Sequence, residues 1–308
     1  MKRSWRRKVL VGCGLPVLLL AVVAAVGLVE FRSQLLGPEG HYFDSNGVRI
    51  HYTDEGTGTP VLLVHGLGVP AHPQWRRGGH IDALAKHYRV IALDNRGHGR
   101  SGKPHDPGQY GAEMAEDLAR LLDHLEIKRA HVVGYSMGGY ITLKFVATHP
   151  DRVLSAAVCA AGWGLQRPTP ESLALTETVA RDFEHGEAGL LLQRLGGYID
   201  HPLNFAERLG IRTALAVSND TLALTAAVRG IHGLDVTEEQ LHANAVPVLT
   251  IVGGSDGLFP DAQALHDHMA CHRLVVLPGM THGNAGGAAA FLEELQDFLK
   301  KHTPESEP

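Results

Sequence analysis

The stretch that most restricts how this 308-residue chain can fold is Gly134-Tyr135-Ser136-Met137-Gly138-Gly139. It follows the apolar run Ala130-His131-Val132-Val133 and precedes helix-like residues, Tyr140 to Thr148. A G-x-S-x-G pattern set between a strand and a helix reads as a nucleophile elbow. The turn is sharp and strained, so its neighbours must be small. Gly134 and Gly138 let the backbones pack closely and leave the Ser136 hydroxyl clear at the top of a sheet. A helix starting at Met137 would aim its N-terminal amides and positive dipole end at whatever binds there.

A serine hydroxyl needs a base, and the base needs a group to orient it. In an open α/β sheet those partners come from loops at the carboxyl ends of later strands. Val246 to Val252 is a β-branched run that stops at Gly253-Gly254, and the next acid is Asp256. Arg273 to Leu277 is a second apolar run, ending at Pro278-Gly279, and His282 follows it. The order Ser136, Asp256, His282 is nucleophile, acid, base. The preceding strand-like run, Val153 to Ala160, is followed by no carboxylate that could replace Asp256, and Asp261 reads as a first-turn helix acid. Two amides are expected to form an oxyanion hole: that of Met137, and that of Leu67 in His65-Gly66-Leu67-Gly68, which follows the strand-like Pro60 to Val64. His65 itself reads as a structural, hydrogen-bonded histidine.

With these pieces in order, the chain resembles the α/β-hydrolase superfamily, most of all its lid-bearing esterase, lactonase and carbon–carbon hydrolase branch. Asp94-Asn95-Arg96-Gly97-His98-Gly99-Arg100-Ser101 is similar to the D-x-R-G-x-G-x-S loop of that branch, where it is mainly structural. The resemblance covers about residues 41 to 300. It implies a mostly parallel, doubly wound sheet and hydrolysis through an acyl-enzyme without a cofactor. Ser136 departs from the aspartate of the dehalogenase and epoxide hydrolase branches, and Gly68 stands where they favour a proline. Carboxylic esters are the first expectation for a substrate. Lactones or carbon–carbon bonds beside a ketone are alternatives, and a non-catalytic scaffold is the reading from another class.

Strand and helix patterns alternate from a hairpin around Ser45-Asn46-Gly47 to Val153–Ala160, which argues for a sheet wrapped by helices. A core over residues 41–161 and 246–302 is expected. Between them, 162–245 has helical stretches such as Ser172 to Glu184, Gly189 to Leu195 and Leu222 to Arg229, and reads as a lid. Trp163, Phe183, Leu191, Leu192, Tyr198, Phe205 and Leu215 are its candidates for an apolar acyl pocket. A polar tail, 303–308, is expected to be disordered.

The first eight residues carry Lys2, Arg3, Arg6, Arg7 and Lys8, and residues 9–29 are all apolar or small. As a helix that run would measure about 30 Å, enough to cross a bilayer core. With no clear small-residue cleavage site, an uncleaved inner-membrane anchor is expected, its N-terminus cytoplasmic and the catalytic domain outside. Secretion after signal cleavage is the alternative. Residues 30–40 read as a linker. The formal charge is −5 with five cations in the leader, so the rest carries about −10 and is a poor partner for nucleic acid. The three cysteines suggest no disulfide framework and read as buried, inert thiols. No metal-ligand spacing stands out, since His266 and His268 would point to different sides of a helix.

Overall fold

The computed structural model describes residues 26–304 apart from 28, 32, 77, 165–167 and 197–203. Strands β1 (His41–Ser45) and β2 (Val48–Glu55) form the expected hairpin. Asn46 and Gly47 both take positive φ, 54° and 81°, as a tight two-residue turn matched to strand twist requires. The chain continues through β3 (Pro60–Val64), α1 (Ala71–Arg76), α2 (His80–Leu84), β4 (Arg89–Leu93), α3 (Ala112–His124), β5 (Ala130–Tyr135), α4 (Met137–Thr148) and β6 (Val153–Cys159). Then come α5 (Pro170–Glu184), α6 (Gly189–Leu195), α7 (Phe205–Ser218), α8 (Thr221–Gly230) and α9 (Glu238–His242). The core resumes with β7 (Val248–Gly253), α10 (Phe259–His268), β8 (His272–Leu277) and α11 (Ala289–His302).

The eight strands form one sheet in the order β1-β2-β4-β3-β5-β6-β7-β8, parallel from β4 onward, with β2 antiparallel to both of its neighbours. Successive side chains of a strand point to opposite faces. Leu62, Val64, Ile91, Leu93 and Val132 therefore pack in one core with α3 and α4. Val61, Leu63, Val90, Ala92 and Val133 pack in the other, with α1, α2 and α11. Helices on both faces explain why these strands read as continuous apolar runs rather than alternating ones. Each such Leu or Val contributes about 1.5–3 kcal/mol by leaving water.

Helices α5 to α9 interrupt the alternation between β6 and β7; α5, α6 and α8 fall where helical stretches were expected, α7 and α9 were not expected. Val179, Ala180, Phe183, Leu215, Leu224 and Val228 give this insertion its own small core. The sequence pattern does not predict α7. Its apolar residues are split between the insertion core and water, so no single stripe marks it.

Among the described residues no helix is long and apolar enough to cross a membrane. The expected span, 9–29, lies outside the described residues except for Val26, Gly27 and Val29, which are helical. The expected linker is corrected: residues 29–31 and 33–36 are helical, Leu36 is buried, and the turn comes at Gly37. The Gly37 amide donates to the Ser33 carbonyl at 2.9 Å. At the other end the expectation of disorder is corrected at Thr303, whose hydroxyl donates to the Leu299 carbonyl at 2.8 Å; 305–308 lie outside the described residues.

Candidate active site

Ser136 stands between β5 and α4 with φ 56° and ψ −121°. A non-glycine residue there costs on the order of 1–3 kcal/mol and persists only where its surroundings force it. They do so here. A Cβ on Gly134 would run into the Gly138 carbonyl, and one on Gly138 into the carbonyl of Val64. Ser136 also caps α4 without spending its hydroxyl on a capping bond, so Oγ remains available.

The loops after β7 and β8 bring the two partners to it. His282 Nε2 lies 3.0 Å from Ser136 Oγ. His282 Nδ1 lies 3.0 Å from each carboxylate oxygen of Asp256. Asp256 Oδ1 also accepts the Leu258 amide at 2.8 Å, which fixes the carboxylate in its own loop. With Nδ1–H donated to Asp256, the lone pair of Nε2 faces the serine O–H. His282 and Asp256 are both buried, whereas Ser136 is only partly so.

The remaining expected residues lie beside the serine. A Cβ on Gly66 would sit 3.2 Å from Ser136 Cβ, so the His65–Gly68 loop lies directly against the elbow. The Leu67 amide donates to no backbone carbonyl among the described residues. Met137, first in α4, has no acceptor within its helix for its own amide. His65 is structural, as read from the sequence. Its Nδ1–H donates to the Gly66 carbonyl at 2.7 Å and its Nε2 accepts the Asn95 amide at 2.8 Å, while burial lowers its pKa. Asp94 is structural too, accepting from the Ala71 and Arg100 amides and from His51, bonds that hold its carboxyl below the usual range despite burial.

A cavity of about 600 Å³ opens over Ser136 and His282 between the core and the insertion. Phe183, Leu191, Leu192 and Leu215 line it as expected, and among the described residues none of its lining carries a formal charge. Trp163 and Phe205 are corrections. The Trp163 indole N–H donates to the Val236 carbonyl at 2.8 Å and its ring packs on His268, away from the cavity. Phe205 is 81% exposed, because it sits on the outward side of α7. Tyr198 lies outside the described residues.

Several contributors were not read from the sequence. Tyr140, one helical turn beyond Ser136, lines the cavity, and Gln74 enters it from α1. The i, i+4 spacing on α4 could have revealed Tyr140. Its hydroxyl donates to Asp261, which stands in the first turn of α10 as read from the sequence and has this partner in addition. Burial first, then Asp261, raises the Tyr140 pKa, and burial raises that of Asp261. Tyr135 donates its hydroxyl to the His282 carbonyl at 2.6 Å, and its ring meets the imidazole edge-on at 5.6 Å. Of the cysteines, Cys159 is buried, with its thiol pushed up to about 12, but Cys271 is exposed, contrary to expectation; Cys13 lies outside the described residues. No group of three or more metal-ligating side chains converges among the described residues.

Several known proteins are similar to this chain. A dihydrolipoyllysine-residue acetyltransferase component of an acetoin cleaving system from Cupriavidus necator is 31% identical over 85% of this chain. The chain spans 68% of that protein's length and 64% of a second such component. The enol-lactonase from Burkholderia xenovorans is 27% identical and superposes with a TM-score of 0.68, covering 84% of this chain and all of that one. A membrane phospholipase A, 24% identical, superposes with a TM-score of 0.69 over 99% of this chain and 100% of its own. The family model for the alpha/beta hydrolase fold matches residues 59–284, and the chain belongs to that family.

Proposed function

We propose that this chain is a serine hydrolase that cleaves carboxylic esters with an apolar acyl group and is held at a membrane by residues 9–29. The observation that carries the reading is the imidazole of His282, bridging Ser136 and Asp256 at 3.0 Å on each side beneath an apolar cavity. Ser136 Oγ attacks the ester carbonyl while His282 Nε2 takes its proton. Asp256 stabilises the imidazolium, and the Leu67 and Met137 amides receive the charge on the carbonyl oxygen. The imidazolium then protonates the departing alkoxide. Water, deprotonated by the same nitrogen, releases the acid and restores the serine.

The insertion serves as a lid. Leu195 at the end of α6 accepts the Gly257 amide at 2.9 Å, and Asn219 beyond α7 donates to the Gly68 carbonyl at 2.8 Å. The cavity roof is thus tied to the acid loop and to the loop carrying Leu67. An ester is favoured over the diketo acid of a carbon–carbon hydrolase because, among the described residues, no cation lines the cavity to meet a carboxylate. A lactone remains the second reading, since the enol-lactonase shares the fold and a lactone is itself a neutral ester. The membrane assignment is supported by the apolar run behind a basic leader, and a membrane phospholipase A is one protein that uses this fold.

The test is labelling by a fluorophosphonate probe followed by a panel of esters of rising chain length. Ser136→Ala is expected to abolish both labelling and hydrolysis while the fold survives. Activity near that of the parent would remove Ser136 from its role.

A further inference from the structure

The place where the N-terminal segment meets the core lies beside the cavity. Gly37, at the end of that segment, packs so closely on His72 that a Cβ there would collide with the His72 side chain. Its carbonyl accepts from the Arg100 guanidinium at 2.9 Å. His72 belongs to α1, whose Pro73 and Gln74 line the cavity, as does Val69 just before it. Val69 is 38% exposed, so the mouth of the cavity opens on this side. From Glu30 to Gly37 a helical chain advances only about 10 Å. Val26, Val29 and Phe31 are exposed along it, and Leu36 buries only where the segment reaches the core.

A second feature flanks the same mouth. Leu215 of α7 packs over Gly68, and Ile211 and Ala214 also line the cavity. The opposite face of α7 points outward. Phe205, Leu209, Arg212 and Ala216 share it at helical spacing, and all four are exposed, Leu209 at 53%. An outward face that mixes a large aromatic and a leucine with arginine suits the boundary of a bilayer, where apolar groups sink and cations meet anionic headgroups.

We infer that the active-site mouth faces the membrane, and that Phe205 and Leu209 of α7 insert into its surface so that a lipid-borne ester enters past Val69 without crossing water. This rests on the anchoring and ester hydrolysis proposed above. With residues 9–29 in the bilayer, the hydrocarbon edge lies within about 10 Å of Gly37, and the headgroup layer takes up about 5–7 Å of that, so His72, packed on Gly37, lies at or just above the membrane surface. The occupant of the exposed face is then the lipid surface to which the chain is already tied.

The experiment uses the full chain reconstituted in vesicles of phosphatidylcholine and phosphatidylglycerol. Trp5→Phe with Phe205→Trp is expected to add an indole signal that lipids brominated along the acyl chain quench. Phe205→Glu with Leu209→Glu is expected to lower hydrolysis of an ester dissolved in the bilayer by about tenfold or more. The same pair should leave kcat/KM on a water-soluble butyrate ester within about twofold, since neither residue lines the cavity. Suppose the chain stays in the vesicles through an alkaline wash. Then an indole introduced by Phe205→Trp that the brominated lipids leave unquenched, or an equal loss on both substrates, overturns the orientation alone. Release by the wash removes the anchor and the orientation together, and absence of fluorophosphonate labelling removes the hydrolase reading.

Discussion

Replacing Asp256 by asparagine leaves the shape of the site almost unchanged and reverses its proton order. The side-chain oxygen of the asparagine keeps the Leu258 amide, now 2.8 Å from Oδ1, which turns the new NH₂ group toward His282 Nδ1. Two donors cannot face each other, so the imidazole must offer its lone pair at Nδ1 and carry its proton on Nε2. That proton then points at Ser136 Oγ, and the base can no longer accept. A loss on the order of 10⁴ in kcat is expected, as for other triads so altered, or about 5.5 kcal/mol of barrier. KM should change little, because Asp256 does not line the cavity. Asp261 cannot substitute, since it is already held by Tyr140, so Asp256→Asn with Asp261→Asn should be no worse than the single variant. The assay is initial rates on a soluble butyrate ester, with thermal melting to show that the fold is intact. A loss of less than about tenfold would refute the role given to Asp256.

Gly138→Ala should destabilise the protein by about 3 kcal/mol, because the methyl meets the Val64 and His65 carbonyls; an unchanged denaturant midpoint would contradict the tight elbow. Leu191→Phe should shorten the preferred acyl chain, lowering the ratio of octanoate to butyrate hydrolysis by about tenfold, and an unchanged ratio would place the acyl group elsewhere. His131 is buried in β5, and desolvation, then His302 and Arg129, take its pKa down to about 4. The unfolded chain therefore binds a proton that the native one refuses. Stability from this residue is complete above the unfolded pKa of about 6.5 and is lost toward pH 4 by at most about 1.4 kcal/mol per pH unit. His131→Gln should flatten that slope in denaturant titrations, and an equal slope would count against the buried neutral ring.

The convergence of Ser136, His282 and Asp256 was legible because each of the three is announced by its own backbone. Ser136 is enclosed by glycines, Asp256 follows Gly253-Gly254, and His282 follows Pro278-Gly279, so local turn chemistry marks the strand ends. The alternating core was legible for the same reason, as strand runs stop at turn residues. The insertion was harder. Phe205 and Phe183 are equally apolar in sequence, yet one is exposed on the protein surface and the other buried, because only packing decides which side of a helix is covered. Short α1, and with it Gln74, carries too few residues to show a period. The Tyr140–Asp261 bond joins residues 121 positions apart, beyond the reach of any pattern. Cys271 precedes a strand but stands exposed, where adjacency to an apolar run suggested shelter.

Tyr135 precedes Ser136 and grips the backbone of His282 at 2.6 Å. Ser136 and His282 are therefore linked through one rigid phenol as well as through their loops. A shift at the end of the fifth strand would then carry the imidazole along with the alcohol, so the 3.0 Å between Nε2 and Oγ would change less than either group's position.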